Sequence, residues 1–225
     1  MGKSKIDKTL IAMRKSGKLQ DMKAKGDAGE DAVLNICLDR QRKLGGLLYQ
    51  SFQYPYQTNR EGKTYTGNIK LENDVFVEYT DVGRQLYDEI DILYVTDYRI
   101  FAIEVKSYHA KMHIYDHWLD KNGIKVEKSP IAQAEKHARH LYHAVKEVLP
   151  DGNPNYIIPM CCFVDRCSIV DDRSPKMRYY IPVSVLNNFK KKFKECNTPL
   201  DYNLDMKAIL NKLNEIKTEV RKEFI

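Results

Sequence analysis

Two apolar runs, Glu89-Ile-Asp-Ile-Leu-Tyr-Val95 and Ile100-Phe-Ala-Ile-Glu-Val-Lys106, are separated by Thr96-Asp-Tyr-Arg99. Their alternation predicts two strands joined by a tight turn through Asp97. If Val95 pairs with Ile100, Asp91 falls opposite Glu104 and Glu89 opposite Lys106. Period two then puts Glu104 and Lys106 on one face, while Ile90, Ile92, Tyr94, Ile103 and Val105 read as the core face. Directly opposed acids have Cβ atoms about 5 Å apart and repel by up to roughly 1 kcal/mol. A divalent cation between the carboxylates would offset that, since Mg²⁺ is typically held by one or two carboxylates plus waters and substrate phosphate. Lys106 would point into the same site, able to orient or deprotonate a water or to stabilise charge on a phosphate.

Outward from this pair, Asp27 opens a helical pattern (Ala28, Val33, Ile36, Cys37) that Gly45-Gly46 stops. Leu47 to Tyr54 reads as a strand ending at Pro55, and the polar stretch 56–88 as an insertion or long hairpin. Lys111 to Trp118 and Ile124 to Glu127 read as a hairpin around Lys121-Asn-Gly123. Ser129 caps a helix that Pro130 opens. Asn155 to Val164 is a buried strand, Arg178 to Val183 a further strand, and Ser184 starts a short helix. Met206, Ile209, Leu213, Ile216, Val220 and Phe224 mark an amphipathic C-terminal helix. The order predicts an α/β fold with a central mixed β-sheet flanked by helices.

The chain has 225 residues and a formal net charge of +6. Residues 1–25 alone carry eight basic side chains (Lys3, Lys5, Lys8, Arg14, Lys15, Lys18, Lys23, Lys25) against Asp7 and Asp21, so the rest is charge-balanced. That excludes a uniformly basic, histone-like protein. The longest apolar run, Ile157 to Val164, is far short of the roughly 20 residues a membrane span needs. The lysine-rich start lacks an apolar core, so a secretory signal is not expected. Five cysteines without a CxxC pair read as free thiols of a cytoplasmic protein.

Asp91 with Glu104-Val-Lys106 resembles the core of the PD-(D/E)XK nuclease superfamily. More closely, the chain resembles nuclease-related domain (NERD) proteins. The matching pieces are Gly26-Asp-Ala-Gly-Glu30, Ile90-Asp91, Ile103-Glu-Val-Lys106, Pro130-Ile-Ala-Gln133 and Ile181-Pro-Val-Ser184. The resemblance implies a restriction-endonuclease-like core over residues 26–190, after a basic arm or short helix (1–25) and before a C-terminal helix packed on the domain (191–225). It implies Mg²⁺ (or Mn²⁺) held by Asp91, Glu104 and the Val105 carbonyl. Glu30 would join as a water or second-metal ligand, Lys106 would act on the attacking water, and Gln133 would contact a phosphate or the water. The implied activity is DNA phosphodiester hydrolysis in DNA processing or defence.

Lys3, Lys5, Lys8, Arg14, Lys15 and Lys18 would add sequence-independent, salt-sensitive phosphate contacts. His137 and His140 share a helix face one turn after Gln133, which would let His137 line a DNA groove. RNA is an alternative substrate. A catalytically inactive nucleic-acid-binding or adaptor module is the alternative function, because a fold does not dictate an activity. The C-terminal apolar stripe could dock on the body or join two copies as a homodimer.

Overall fold

Residues 18–56, 64–70, 76–82, 86–116, 118–127, 129–165 and 167–225 are described by a computed structural model. In chain order the elements are α1 (Lys18–Leu44), β1 (Leu47–Tyr56), β2 (Thr64–Lys70), β3 (Phe76–Val82), β4 (Leu86–Val95), β5 (Ile100–Ser107), β6 (Lys111–Ile114), β7 (Leu119–Lys121), β8 (Ile124–Lys125), α2 (Pro130–Val145), β9 (Ile157–Val164), β10 (Ser168–Asp171), α3 (Pro175–Tyr180), β11 (Val183–Val185), α4 (Leu186–Cys196), α5 (Met206–Ile216) and β12 (Lys222–Phe224).

β4 and β5 pair antiparallel in the register that their sequences predict, from Val95↔Ile100 to Ile92↔Ile103. The turn between them closes with the Thr96 N–H donating to the Arg99 carbonyl at 2.8 Å. Around this pair a six-stranded mixed sheet runs in the order β11-β9-β5-β4-β1-β12. β9 lies parallel to β5, reached through α2, as a crossover requires. On one face Val33, Leu34 and Cys37 of α1 and Phe189 and Phe193 of α4 pack against Ile92, Tyr94, Phe101 and Ile103. On the other, Ala138, Leu141 and Val145 of α2 and Ile209 and Leu213 of α5 cover Tyr49, Phe52, Ile90, Leu93 and Ala102. Cys161 and Cys162 fall into different core clusters, as adjacent strand residues must. All five cysteines are free.

The strict alternation expected along β4 does not hold. Ile90 packs in the same cluster as Leu93 and Val95, not with Ile92 and Tyr94. The β1–β4 ladder passes from Gln50↔Ile92 to Phe52↔Ile90 and leaves out Ser51 and Asp91. Ser51 sits there at φ 53, a left-handed conformation rare outside glycine. Both strands therefore turn over their faces at this level, in the manner of a bulge. Consequently Asp91 is not a ladder partner of Glu104, and Glu89 pairs with Gln53 of β1 instead of Lys106.

Elsewhere the expected bounds shift for identifiable reasons. α1 starts at Lys18 and continues through Gly26. The tight Asn122-Gly123 turn (φ 52 and 84) joins β7 to β8, while Lys111–Ile114 pairs with β7 as a third strand. Residues 64–70 and 76–82, inside the expected insertion, form an antiparallel pair. Arg178 to Tyr180 is helical, not extended, because Pro175 opens α3 at its first position and the buried Arg173 guanidinium holds the Met177 and Ile181 carbonyls. The C-terminal helix stops at Ile216. Beyond it the chain turns onto the edge of β1, where the Thr218 and Arg221 amides donate to the Gln53 and Gln50 carbonyls at 2.8 and 2.9 Å. Unpaired backbone on a sheet edge recruits a strand more strongly than an apolar period extends a helix.

Gly29 shows how closely α1 approaches the sheet. A Cβ there would lie 2.6 Å from Val164 Cγ2, whereas one at Gly26 would meet nothing within 4 Å. Val164 is β-branched and cannot swing aside freely. Gly29→Ala should therefore cost about 1–3 kcal/mol through overpacking, less the helix-propensity gain. Gly26→Ala should gain close to 1 kcal/mol. Urea unfolding of the two variants checks the opposite signs.

Candidate active site

Where the β4–β5 ladder ends, Asp91 turns its carboxylate onto the freed backbone. Its Oδ2 accepts from the Val105 N–H at 2.7 Å. This places the carboxylate beside Glu104, which alternation along β5 aims at α2. Glu104 is only 2% exposed. Lys106 Nζ lies 2.5 Å from Glu104 Oε1, and His137 Nδ1 of α2 lies 3.4 Å from Oε2. The His137 approach is within ion-pair reach, but it is not aligned for a hydrogen bond, so Oε2 is buried without a donor.

The charges respond to this packing. Burial pushes the Asp91 carboxyl up to about 7, and the adjacent Glu104 carboxylate adds to it, against the pull of Lys106 and the Val105 amide. Burial also raises Glu104, but His137 and Lys106 outweigh it and hold it below its usual value. Lys106 is pulled down by burial and pushed up more strongly by Glu104 and Asp91, so it stays a cation. Two acids in one pocket are thus driven apart: Glu104 keeps its charge, and Asp91 holds a proton close to neutrality.

Glu30 approaches from α1. It lines a cleft of about 460 Å³ with Asp27, Ser51, Gln53, Glu89, Glu219 and Arg221. Burial and Asp27 raise its pKa, against Arg221, whose Nη1 lies 3.9 Å from Glu30 Oε2. Its charge contributes to the raised pKa of Asp91, so the two carboxylates share one field. Gln133 sits half-buried in the first turn of α2, one turn before His137, with the Ser129 hydroxyl capping that helix. The Val105 side chain is in the core and its N–H is taken by Asp91. Lys3, Lys5, Lys8, Arg14 and Lys15 lie outside the described residues, as does the Lys18 side chain.

The His137 side chain is 12% exposed. It stands between Glu104 and a second acid, Asp88, whose Oδ1 is 4.0 Å from His137 Nε2. Asp88 is 4% exposed, and it binds Lys136 Nζ at 2.9 Å and His140 Nδ1. Burial raises Asp88, but these partners outweigh it and hold its pKa below the usual range. Asp88 is not among the residues that the sequence motifs single out. The signal was there: an acid in phase with buried Ile90, and Lys136, His137 and His140 on one helical face.

The donor set fits a hard divalent cation of the Mg²⁺ kind, because the buried Oε2 of Glu104 lacks a donor and burial, with the Glu104 charge second, makes Asp91 hold a proton that a cation would displace. Among the described residues no group of three or more His, Cys, Asp and Glu side chains is arranged to hold a metal ion. Any ion would therefore rest on these two carboxylates, a backbone carbonyl and water.

No helix among the described residues is long and apolar enough to cross a membrane. Comparisons with curated proteins and with solved structures found no match. A family model, the nuclease-related domain, matches residues 25–164, which take in α1 from residue 25 onward together with β4, β5, α2 and β9 and so span Glu30, Asp91, Glu104, Lys106 and Gln133. The match covers more than half of the chain, and the mixed sheet with helices on both faces is the nuclease-like core that the family implies: the protein belongs to the nuclease-related domain family.

Proposed function

We propose that the protein is a divalent-metal-dependent nuclease that hydrolyses DNA phosphodiester bonds. The observation that carries this reading is the juxtaposition of Asp91, Glu104 and Lys106, with a buried Glu104 oxygen left without a donor. Asp91 and Glu104, with the Val105 carbonyl, would hold Mg²⁺ or Mn²⁺, which when bound supplies Lewis-acid stabilisation of a phosphate and a more acidic water. The chain's own groups do the rest. The Glu104 contact keeps Lys106 protonated, so its part is to orient the attacking water and offset charge on the phosphate, not to take a proton. Glu30 supports Asp91 from α1, and Gln133 positions a phosphate or water at the start of α2.

A second reading draws on the same contacts. Lys106 and His137 already lie against Glu104 within the chain, as they would in an inactive nucleic-acid-binding or adaptor module on this fold. A digest decides between them. Duplex DNA, single-stranded DNA and RNA are incubated with Mg²⁺, with Mn²⁺ and with EDTA, for the parent and Lys106→Ala. The nuclease reading expects DNA cleavage that EDTA stops and that Lys106→Ala slows about 10²–10³-fold, the usual loss when one group stabilising developing charge is removed. Intact DNA throughout, or equal rates for the variant, contradicts it. Preferential loss of RNA reassigns the substrate.

A further inference from the structure

At the turn end of the central strands, Arg99 is a charged side chain in an apolar setting. It is 4% exposed. Its Nη2 donates to Thr198 Oγ1 at a long 3.4 Å, while Nε and Nη1 have no acceptor. Among the described residues no carboxylate pairs with it. An arginine cannot shed its proton to relieve this, so the unmet donors carry a real cost.

Arg99 lines a cavity of about 290 Å³, just under the roughly 300 Å³ at which ligand pockets start. Arg139, Tyr142, Asn155, Tyr179 and Tyr180 line it as well. Arg139 forms no ion pair among the described residues. Tyr179 is 87% exposed and Tyr180 also stands open to solvent, so two aromatic rings flank the mouth. The Tyr142 hydroxyl is already spent on the Gly152 carbonyl, which fixes that ring.

This pocket is apart from the acidic site. Ile157, Ile158 and Pro159 in its wall pair with Ile100, Phe101 and Ala102, whereas Glu104 and Lys106 pair with Cys161 and Phe163 further along β9. At about 3.3 Å per residue, the arginine end and the lysine end of β5 are roughly 20 Å apart. The two ends also differ in kind: two carboxylates with a lysine at one, guanidinium groups at the other.

We propose that this pocket binds a phosphorylated nucleoside, its phosphate on Arg99 and Arg139 and its base against Tyr179 and Tyr180. Guanidinium forks match phosphate oxygens bidentately. Every base offers a π-face to stack on tyrosine. Asn155, with one amide acceptor and two donors, can meet a base edge. A carboxylate alone would satisfy the arginines but leave the aromatic mouth unused. The ligand can come from two sources, a free nucleotide or the phosphorylated end of a strand.

Calorimetry on the full chain in EDTA tests this without any cleavage, so its outcome is separate from that of the nuclease reading. The probes are dAMP, deoxyadenosine, inorganic phosphate and a short 5′-phosphorylated oligonucleotide. Expected is saturable binding of dAMP, weaker binding of phosphate and none of deoxyadenosine. Arg99→Met, which keeps the volume, should weaken dAMP about 30-fold or more, as loss of a buried charge partner does. Tyr179→Ala, at an exposed position safe for folding, should weaken it about fivefold or more. An oligonucleotide that binds tighter than dAMP assigns the site to strand ends; the reverse assigns it to free nucleotides. No heat with millimolar dAMP, equal binding of deoxyadenosine, or unchanged dAMP affinity in Tyr179→Ala together with Arg99→Met (or in Tyr179→Ala alone, should Arg99→Met not fold) overturns the proposal.

Discussion

Glu104→Gln is expected to slow metal-dependent DNA cleavage by about 10³-fold or more while leaving a folded protein. The substitution is nearly isosteric, so the small volume between β5 and α2 stays filled. What changes is charge. Glu104 is the buried, ionised member of the acid pair, held below its usual pKa by His137 and Lys106. An amide offers a cation one neutral oxygen in place of a carboxylate. Lys106 also loses its closest anion, at 2.5 Å, and with it the restraint that aims its ammonium group into the site. The stability cost should stay well below the roughly 3–5 kcal/mol of a fully buried broken pair, because Asp91 remains nearby and Lys106 is partly exposed. Rates from a linear-duplex digest, alongside a circular-dichroism melt, separate loss of chemistry from loss of fold. Parental cleavage by Glu104→Gln would remove Glu104 from the site.

Phe193→Ala is expected to cost about 3–5 kcal/mol, a large part of the roughly 5–15 kcal/mol that stabilises a domain. Phe193 is buried, with its ring centroid 4.2 Å from Phe101 and 5.4 Å from Tyr94. The Arg40 guanidinium of α1 lies 6.0 Å from the same ring. Phe189 and Phe193 are the buried residues of α4, so removing one deletes much of that helix's hold on the sheet. The position lies beyond residue 164, where the family match ends, yet it packs on the strands that carry Asp91 and Glu104. Urea unfolding should show the midpoint falling with an unchanged slope. A loss below about 1 kcal/mol would mean that α4 does not share this core.

The parts of this molecule legible in its sequence are those governed by local pattern. The β4–β5 register follows from two alternating runs and a short connection, and α2 begins where Ser129 and Pro130 require. What escaped the reading depends on neighbours. Nothing in a lone serine announces a left-handed Ser51, yet that residue and Asp91 together turn both strands over and send the Asp91 carboxylate onto the Val105 amide. An unbroken alternation instead predicted opposed acids. Val220 and Phe224 keep the helical period of α5, but the open edge of β1 takes that segment as a strand. Arg99 reads as an ordinary charged residue at a strand start; only packing shows that it lacks an anion. Glu104 and Lys106 were legible because they are two residues apart on β5, and Asp91 because it lies on the strand that pairs with β5. Asp88 and its contact with His137 were not, because that partnership crosses between β4 and α2.

The central claim is that Asp91 and Glu104 hold one divalent ion, and calorimetric titration of the DNA-free protein with Mn²⁺ at pH 6 and pH 8 tests it most directly. Burial and Glu104 raise Asp91 to about 7, so the ion must displace a proton at pH 6 and finds the carboxylate already ionised at pH 8. The expected result is one ion per chain, bound about tenfold more tightly at pH 8, with no uptake by Glu104→Gln. Absence of Mn²⁺ binding at both pH values, or the same binding by Glu104→Gln, would contradict it.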